Sequence, residues 1–216
     1  MPAIPPSSAG RSRPAAVQRR GVERTQALLD AAETLLSEQG YAAATLKAVG
    51  ELAGIPTASV YHYFADRHQL EAELVQRHIA EIDDILTAAL ERSRARTLRG
   101  AINVLIDTMV DYFREHRSLI ALWFVERTTL VGESARTADE TWAEQFWRHL
   151  IDRELLHPET PVLVVLLTFE AGNRLLDVAF RQSPTGDEAV IDELRRMSTA
   201  YLETYGVTPT QPRSRR

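Results

Sequence analysis

The chain has 216 residues, 44% of them apolar and 25% charged, the balance of a folded chain and not of a disordered one. It holds no cysteine, which excludes a disulfide framework, thiolate catalysis and cysteine-ligated zinc or iron–sulfur sites. Its net charge of −5 is unevenly spread: up to Arg67 seven basic residues meet six acidic ones, and beyond it eighteen meet twenty-four. A basic start before an acidic remainder is a weak hint of a nucleic-acid reader joined to something else.

Residues 1–20 read as a flexible basic arm punctuated by Pro2, Pro5, Pro6 and Pro14. They lack the apolar core of a cleavable leader, so none is expected. A helix is predicted from about Val22 to Gln39, with Leu28, Ala32 and Leu35 on one face and Gly40 closing it. Thr45 is the expected N-cap of a short helix that carries a stripe of Leu46, Val49 and Leu52 or Ala53 and stops at Gly54. Pro56 suits the first turn of a third helix running to Tyr63, with Val60 and Phe64 as an inward pair. Asp66, with Gln69 three residues on, opens a long helix to about Leu90.

The cluster Arg92, Arg94, Arg96 and Arg99 reads as a solvated connector. Five further helices are expected over 98–116, 118–130, 135–156, 161–182 and 187–205. Gly132, His157-Pro158 and the turn from Ser183 to Gly186 separate them. About nine helices, no alternating strand and no internal repeat make the fold class all-α. The domains are a helix-turn-helix unit at 21–67, a helical unit at 68–206 and a disordered tail at 207–216. Val162 to Phe180 is the most apolar stretch, but Glu170, Asn173, Arg174 and Asp177 interrupt it, so no membrane span is expected.

The stretch from Thr45 to Arg67 carries the functional signal. Two short helices meet at a tight turn, and the second presents Thr57, Ala58, Ser59, Tyr61, His62 and Tyr63. This is the layout of a helix-turn-helix, whose second helix enters the major groove. Small residues allow close approach, and hydroxyls reach phosphates or bases. Arg67 has the charge to hold a phosphate at the start of the next helix. Phe64 reads as core, and the ring of Tyr61 divides evenly between core and DNA. His62, His68 and His78 are spaced by six and ten, not by the four of a helical metal site, so no metal is expected.

The order of Ala31-Ala32, Leu36, Gly40-Tyr41, Thr45, Val49, Ala53-Gly54-Ile55, Val60-Tyr61, Tyr63-Phe64, Arg67 and Leu70 resembles the TetR family of bacterial transcriptional regulators. It departs from that family at Gly50, usually alanine, at Pro56, usually serine or threonine, and at Arg67, commonly lysine. The resemblance implies DNA contacts by Thr45, Lys47, Thr57, Ala58, Ser59, Tyr61, His62, Tyr63 and Arg67. It also implies a cavity for a small-molecule effector among the middle helices.

The candidates for that cavity are Met109, Phe113, Trp123, Phe124, Trp142, Phe146, Trp147, Phe169 and Asn173, each of which reads equally as core. The resemblance further implies a homodimer in which the last two helices pair with their copies, with Leu163, Leu166, Leu194, Met197 and Tyr201 at the interface. Glu170, Asn173 and Arg174 fit either the cavity or that interface.

No Gly-rich phosphate loop, nucleophile elbow or H-E-x-x-H motif is present, so no enzyme and no cofactor are expected. The expectation is a cytoplasmic regulator that binds operator DNA, acts as a repressor and is released by an apolar or amphipathic ligand. An activator of the same fold and an architectural DNA-binding protein without an effector are the alternatives.

Overall fold

The computed structural model describes residues 13–125 and 129–207. They are all-α, and the chain parts into two compact units between Arg67 and His68.

The first unit holds α1 (Arg13–Gln39), a single 3-10 turn (Tyr41–Ala43), α2 (Leu46–Leu52) and α3 (Thr57–Tyr63). Residues 13–20 are thus helix and not arm, while 1–12 lie outside the described residues. Pro14 sits in the first turn, where its missing N–H forfeits no bond. Arg19 and Glu23, at 3.3 Å, support the turns that follow. Leu28, Ala32, Leu35 and Leu36 are buried on α1, as are Val49, Val60 and Phe64. Of the two alternatives for the end of the α2 stripe, Leu52 is exposed and Ala53 half-buried.

The turn between α2 and α3 depends on two glycines. Gly54 takes φ 66°, a left-handed conformation that costs glycine little. Gly50 lets α3 come close: a Cβ there would lie 2.8 Å from the Ile55 carbonyl oxygen and 2.8 Å from Val60 Cγ2. Pro56 is the N-cap residue of α3 and offers no side-chain bond. Its carbonyl instead accepts from the Ser59 and Val60 amides at 2.7 and 3.2 Å.

The second unit opens with α4 (Arg67–Arg92), whose first residue closes the first unit. There follow α5 (Leu98–Glu115) and α6 (Arg117–Ile120), which runs into a turn of π-helix (Ala121–Val125). Then come α7 (Thr129–Asp152), α8 (Val162–Gln182) and α9 (Glu188–Glu203). On α4 Leu70, Leu74, His78, Ile82, Leu86 and Leu90 form a buried i, i+4 stripe, with Glu71 and Val75 buried beside it, and the exposed Ile85 lies off it. Helix α8 packs on α7 and α9, and α9 packs on α5.

Two expected boundaries move. Gly132 does not divide helices but lies inside α7. The buried stripe Val131, Ala135, Ala138 and Trp142 runs past it, and burial along such a stripe outweighs the roughly 1 kcal/mol that glycine costs a helix. Helix α7 stops at Asp152 and not at 156, because Glu154 turns left-handed at φ 56°. That turn sends Leu156, fully buried, into an isolated bridge with Gly206.

A polar chain crosses the second unit. Tyr112 Oη donates to Glu81 at 2.7 Å and lies 2.8 Å from Nδ1 of the fully buried His78. This joins α4 to α5. No helix among the described residues is long and apolar enough to cross a membrane.

Candidate nucleic-acid interface and apolar cavity

Thr45 places the first of the DNA-facing candidates. Its hydroxyl accepts from the Ala48 amide at 3.2 Å, capping α2 and fixing where Lys47 emerges. Lys47 is 75% exposed, with Glu51 3.8 Å away, a loose surface pair that leaves the ammonium mobile. On α3, Val60 is fully buried and anchors one side. Ala58, Tyr61 and His62 stand exposed on the other, with Thr57, Ser59 and Tyr63 half-buried between. The Tyr61 ring, for which a core position was an open alternative, is 58% exposed. The His62 and Tyr63 rings meet edge to face at 5.7 Å. This surface is a helix with small and hydroxyl-bearing residues at its start and aromatic donors at its end.

Arg67 behaves differently from Lys47. Its guanidinium donates to the Tyr41 carbonyl at 2.5 Å and lies over the Tyr41 ring, 3.7 Å from the centroid. It braces the end of the first unit against the turn that follows α1, by a charge-assisted bond and a cation–π contact. The sequence marks Arg67 by charge alone and gives no sign of this pairing, which joins residues 26 apart.

In the second unit α5, α7, α8 and α9 line a cavity of about 50 Å³. Met109, Trp142, Phe146, Phe169 and Asn173 line it, with Ile106, Asp139, Thr168, Gly172 and Leu194. The other candidates lie elsewhere. Phe113 is fully buried against Phe180 at 5.5 Å. Trp123, also fully buried, stacks on the Trp142 indole at 6.2 Å. Trp147 donates its Nε1 proton to the Thr160 carbonyl at 2.8 Å, pinning the loop after α7. The side chain of Phe124 lies outside the described residues. At about 50 Å³ the cavity is far smaller than the roughly 300–1,000 Å³ of ligand pockets.

Asp139 escaped the sequence reading, which attended to aromatic and apolar residues. It is 5% exposed and accepts from Asn173 Nδ2 at 2.6 Å. Asn173 therefore faces the cavity. Glu170 and Arg174 lie on the exposed side of α8, where Arg174 and Arg181 both pair with Asp177.

That exposed side carries Leu163, Leu167 and Val178, and α9 adds Met197. Leu166 and Tyr201 are half-buried. Leu194, expected at the same interface, is 2% exposed and lines the cavity instead, because its face of α9 turns toward α8 and α5.

Two family models match. Residues 28–74 match the bacterial regulatory proteins of the tetR family, and residues 97–202 match the tetracyclin repressor-like C-terminal domain. The chain is 30% identical over 176 residues to the HTH-type transcriptional regulator BetI of Paraburkholderia xenovorans, covering 81% of this chain and 80% of that one. A TetR-family regulator from Streptomyces coelicolor has a similar structure, with TM-score 0.68 and 28% identity over 84% of this chain and 99% of its own. RolR in complex with resorcinol shares the fold at TM-score 0.64 and 18% identity, over 90% and 97% of the two chains. With a helix-turn-helix in its first unit and a helical second unit that matches the family's C-terminal domain, the chain belongs to the TetR family and is a DNA-binding transcriptional regulator.

Proposed function

We propose that the protein is a homodimeric repressor that leaves its operator when a small molecule occupies the cavity of the second unit. The observation that carries this reading is the joint presence of an exposed reading helix and an apolar, aromatic-lined cavity. An architectural DNA-binding protein has no use for such a cavity. RolR, of the same fold, holds a small aromatic ligand, which supports the same use here. On this reading residues 21–67 read DNA and 68–206 bind the effector and pair.

One reading helix spans only a few base pairs, so specificity calls for two half-sites about 34–36 Å apart. A two-fold axis through α8 and α9 would supply the second head. Lys47, Tyr63 and the start of α3 would contact DNA, and Arg67 would hold the frame from which they project. The ligand acts only through a difference in its affinity for the two conformations. Tilting α4 would then shift the heads relative to the DNA, and a coupling of about 1–3 kcal/mol would loosen binding roughly 5–150-fold.

The test is selection from a random DNA pool, followed by anisotropy titration of the enriched sequence. An inverted repeat is expected, and Lys47→Ala or Tyr63→Ala should weaken its binding by about 1–3 kcal/mol. Enrichment of no repeat, or full affinity in both folded variants, would overturn the assignment.

A further inference from the structure

Three of the arginines that read as a solvated connector in the sequence meet a fourth in the fold. Arg92 ends α4, Arg94 and Arg96 lie on the loop to α5, and Arg153 follows the last residue of α7. With Glu91 and Ser93 they line an open groove of about 520 Å³, which shares no lining residue with the apolar cavity. We propose that this groove binds a compact polyanion with at least two phosphoryl groups, as a ligand site separate from the effector cavity. Charge is the first reason. The second unit is acidic as a whole, and arginines elsewhere on it are matched by carboxylates: Arg136 by Glu140, Arg148 by Glu144, and Arg195 by Asp107 and Asp192. The four arginines of the groove form no ion pair among the described residues. Glu91 is the one acid in the described lining, and Asp152 and Glu154, beside Arg153 in the chain, are not part of it. A guanidinium stays charged throughout the physiological range, so four positive charges share one depression with a single negative one.

Order is the second reason. Arg153 donates to the Ser93 carbonyl at 2.8 Å and to the Ala95 carbonyl at 3.5 Å, and Arg92 Nε donates to the Ala88 carbonyl at 3.0 Å. The Ser93 hydroxyl accepts from the Ala95 amide at 3.2 Å. Carbonyl partners hold these two guanidiniums in place without cancelling their charge, which lowers the ordering cost of binding. Their remaining N–H groups suit phosphoryl oxygens, which a guanidinium grips in pairs. No aromatic ring is among the described lining, so recognition falls on the phosphoryl groups and not on a stacked base. The volume is that of a small-ligand site, and the concavity favours a compact ligand over a flat membrane.

Calorimetry of the full-length protein with orthophosphate, pyrophosphate and tripolyphosphate, at one fixed ionic strength, tests this. Affinity should rise at least about fivefold with each phosphoryl group added. Changing the exposed pair together, Arg94→Gln with Arg96→Gln, should weaken tripolyphosphate binding at least about tenfold. Lys47→Gln, in the first unit, should leave it unchanged. If the double variant fails to fold, the ranking of the three anions on the unaltered protein and on Lys47→Gln still decides. Sedimentation with phosphatidylcholine vesicles, with and without phosphatidylinositol bisphosphate, separates a lipid headgroup from a free phosphate. Binding to tripolyphosphate and to the phosphorylated vesicles, both lost in the double variant, would support the site with a headgroup as its source. Binding to tripolyphosphate alone would support it with a soluble source. Binding to vesicles alone overturns the compact ligand. Equal affinity for the three anions, equal weakening in Lys47→Gln, or no binding at millimolar concentration overturns the site, and none of these results bears on the effector cavity.

Discussion

Gly50 has no room for the methyl group that its place in α2 would otherwise favour. Alanine there would gain up to about 1 kcal/mol of helix propensity. Its Cβ would, however, press on the Ile55 carbonyl oxygen at 2.8 Å, a backbone atom that no rotamer change can move, and such overpacking costs about 1–3 kcal/mol. Gly50→Ala should therefore lower stability by roughly 1 kcal/mol in chemical denaturation, and a stabilised variant would contradict the packing described. The sequence exposes the oddity of a glycine inside a short helix, but the neighbour that requires it comes from α3 and is visible only in three dimensions. Asp139 was illegible for a similar reason: an acid on a helix reads as solvated until the helices that bury it are placed. His149 offers a pH test. Burial, and then Arg153, hold its pKa below 6.5, against a smaller opposing effect of Asp152, and its Nε2 is buried without a hydrogen-bond partner among the described residues. The unfolded chain thus takes up this proton before the folded one does, and stability contributed by neutral His149 is lost as pH falls through 6.5. Melting scans from pH 7.5 to 5.5 should show a smaller decline in His149→Gln than in the unaltered protein.

Helices α8 and α9 each bear two apolar faces, and sequence periodicity does not say which faces inward. The sequence reading places Leu194 at the interface and does not single out Leu167. In the fold Leu167 is 48% exposed and Leu194 is 2% exposed. The two positions should therefore respond differently to the same change. Leu167→Glu should leave a folded chain that sediments as a monomer. Leu194→Glu puts an unpaired charge in the core, at a cost of at least about 3 kcal/mol, and should unfold the second unit. A folded dimer in both variants would move the dimer face elsewhere. Helix α7 teaches the complementary lesson. Glycine and proline are the strongest punctuation a sequence offers, yet Gly132 failed to end a helix because the apolar stripe around it continued, while the real stop came at Glu154, a residue type with no such signal.

For the molecule as a whole, the class, the two-part organisation and the order of helices were legible, since they follow from periodicity and caps that act within a few residues. The cavity was not, since it is assembled from α5, α7, α8 and α9, whose residues meet only after folding. DNA binding is the property that belongs to this scale. Its affinity should fall steeply with salt, with a slope of about −0.9 per phosphate neutralised in a plot of log affinity against log salt. A dimer should show about twice the slope of the Leu167→Glu monomer, provided that the monomer still binds. Equal slopes would mean that one head alone holds the DNA.

The two units share a helix and not a linker. Helix α4 begins on the last residue of the first unit and continues for 26 residues without a glycine or proline. A hybrid regulator made by grafting another reading head onto this second unit would be spliced at the first turn of α4. One residue too many at the joint would turn everything beyond it by about 100° and advance it by about 1.5 Å. Seven residues, close to two whole turns, would nearly restore the heading while adding about 10 Å of reach. A helical period in activity against splice length would show that α4 carries the reading head rigidly, and indifference to length would show that the joint yields.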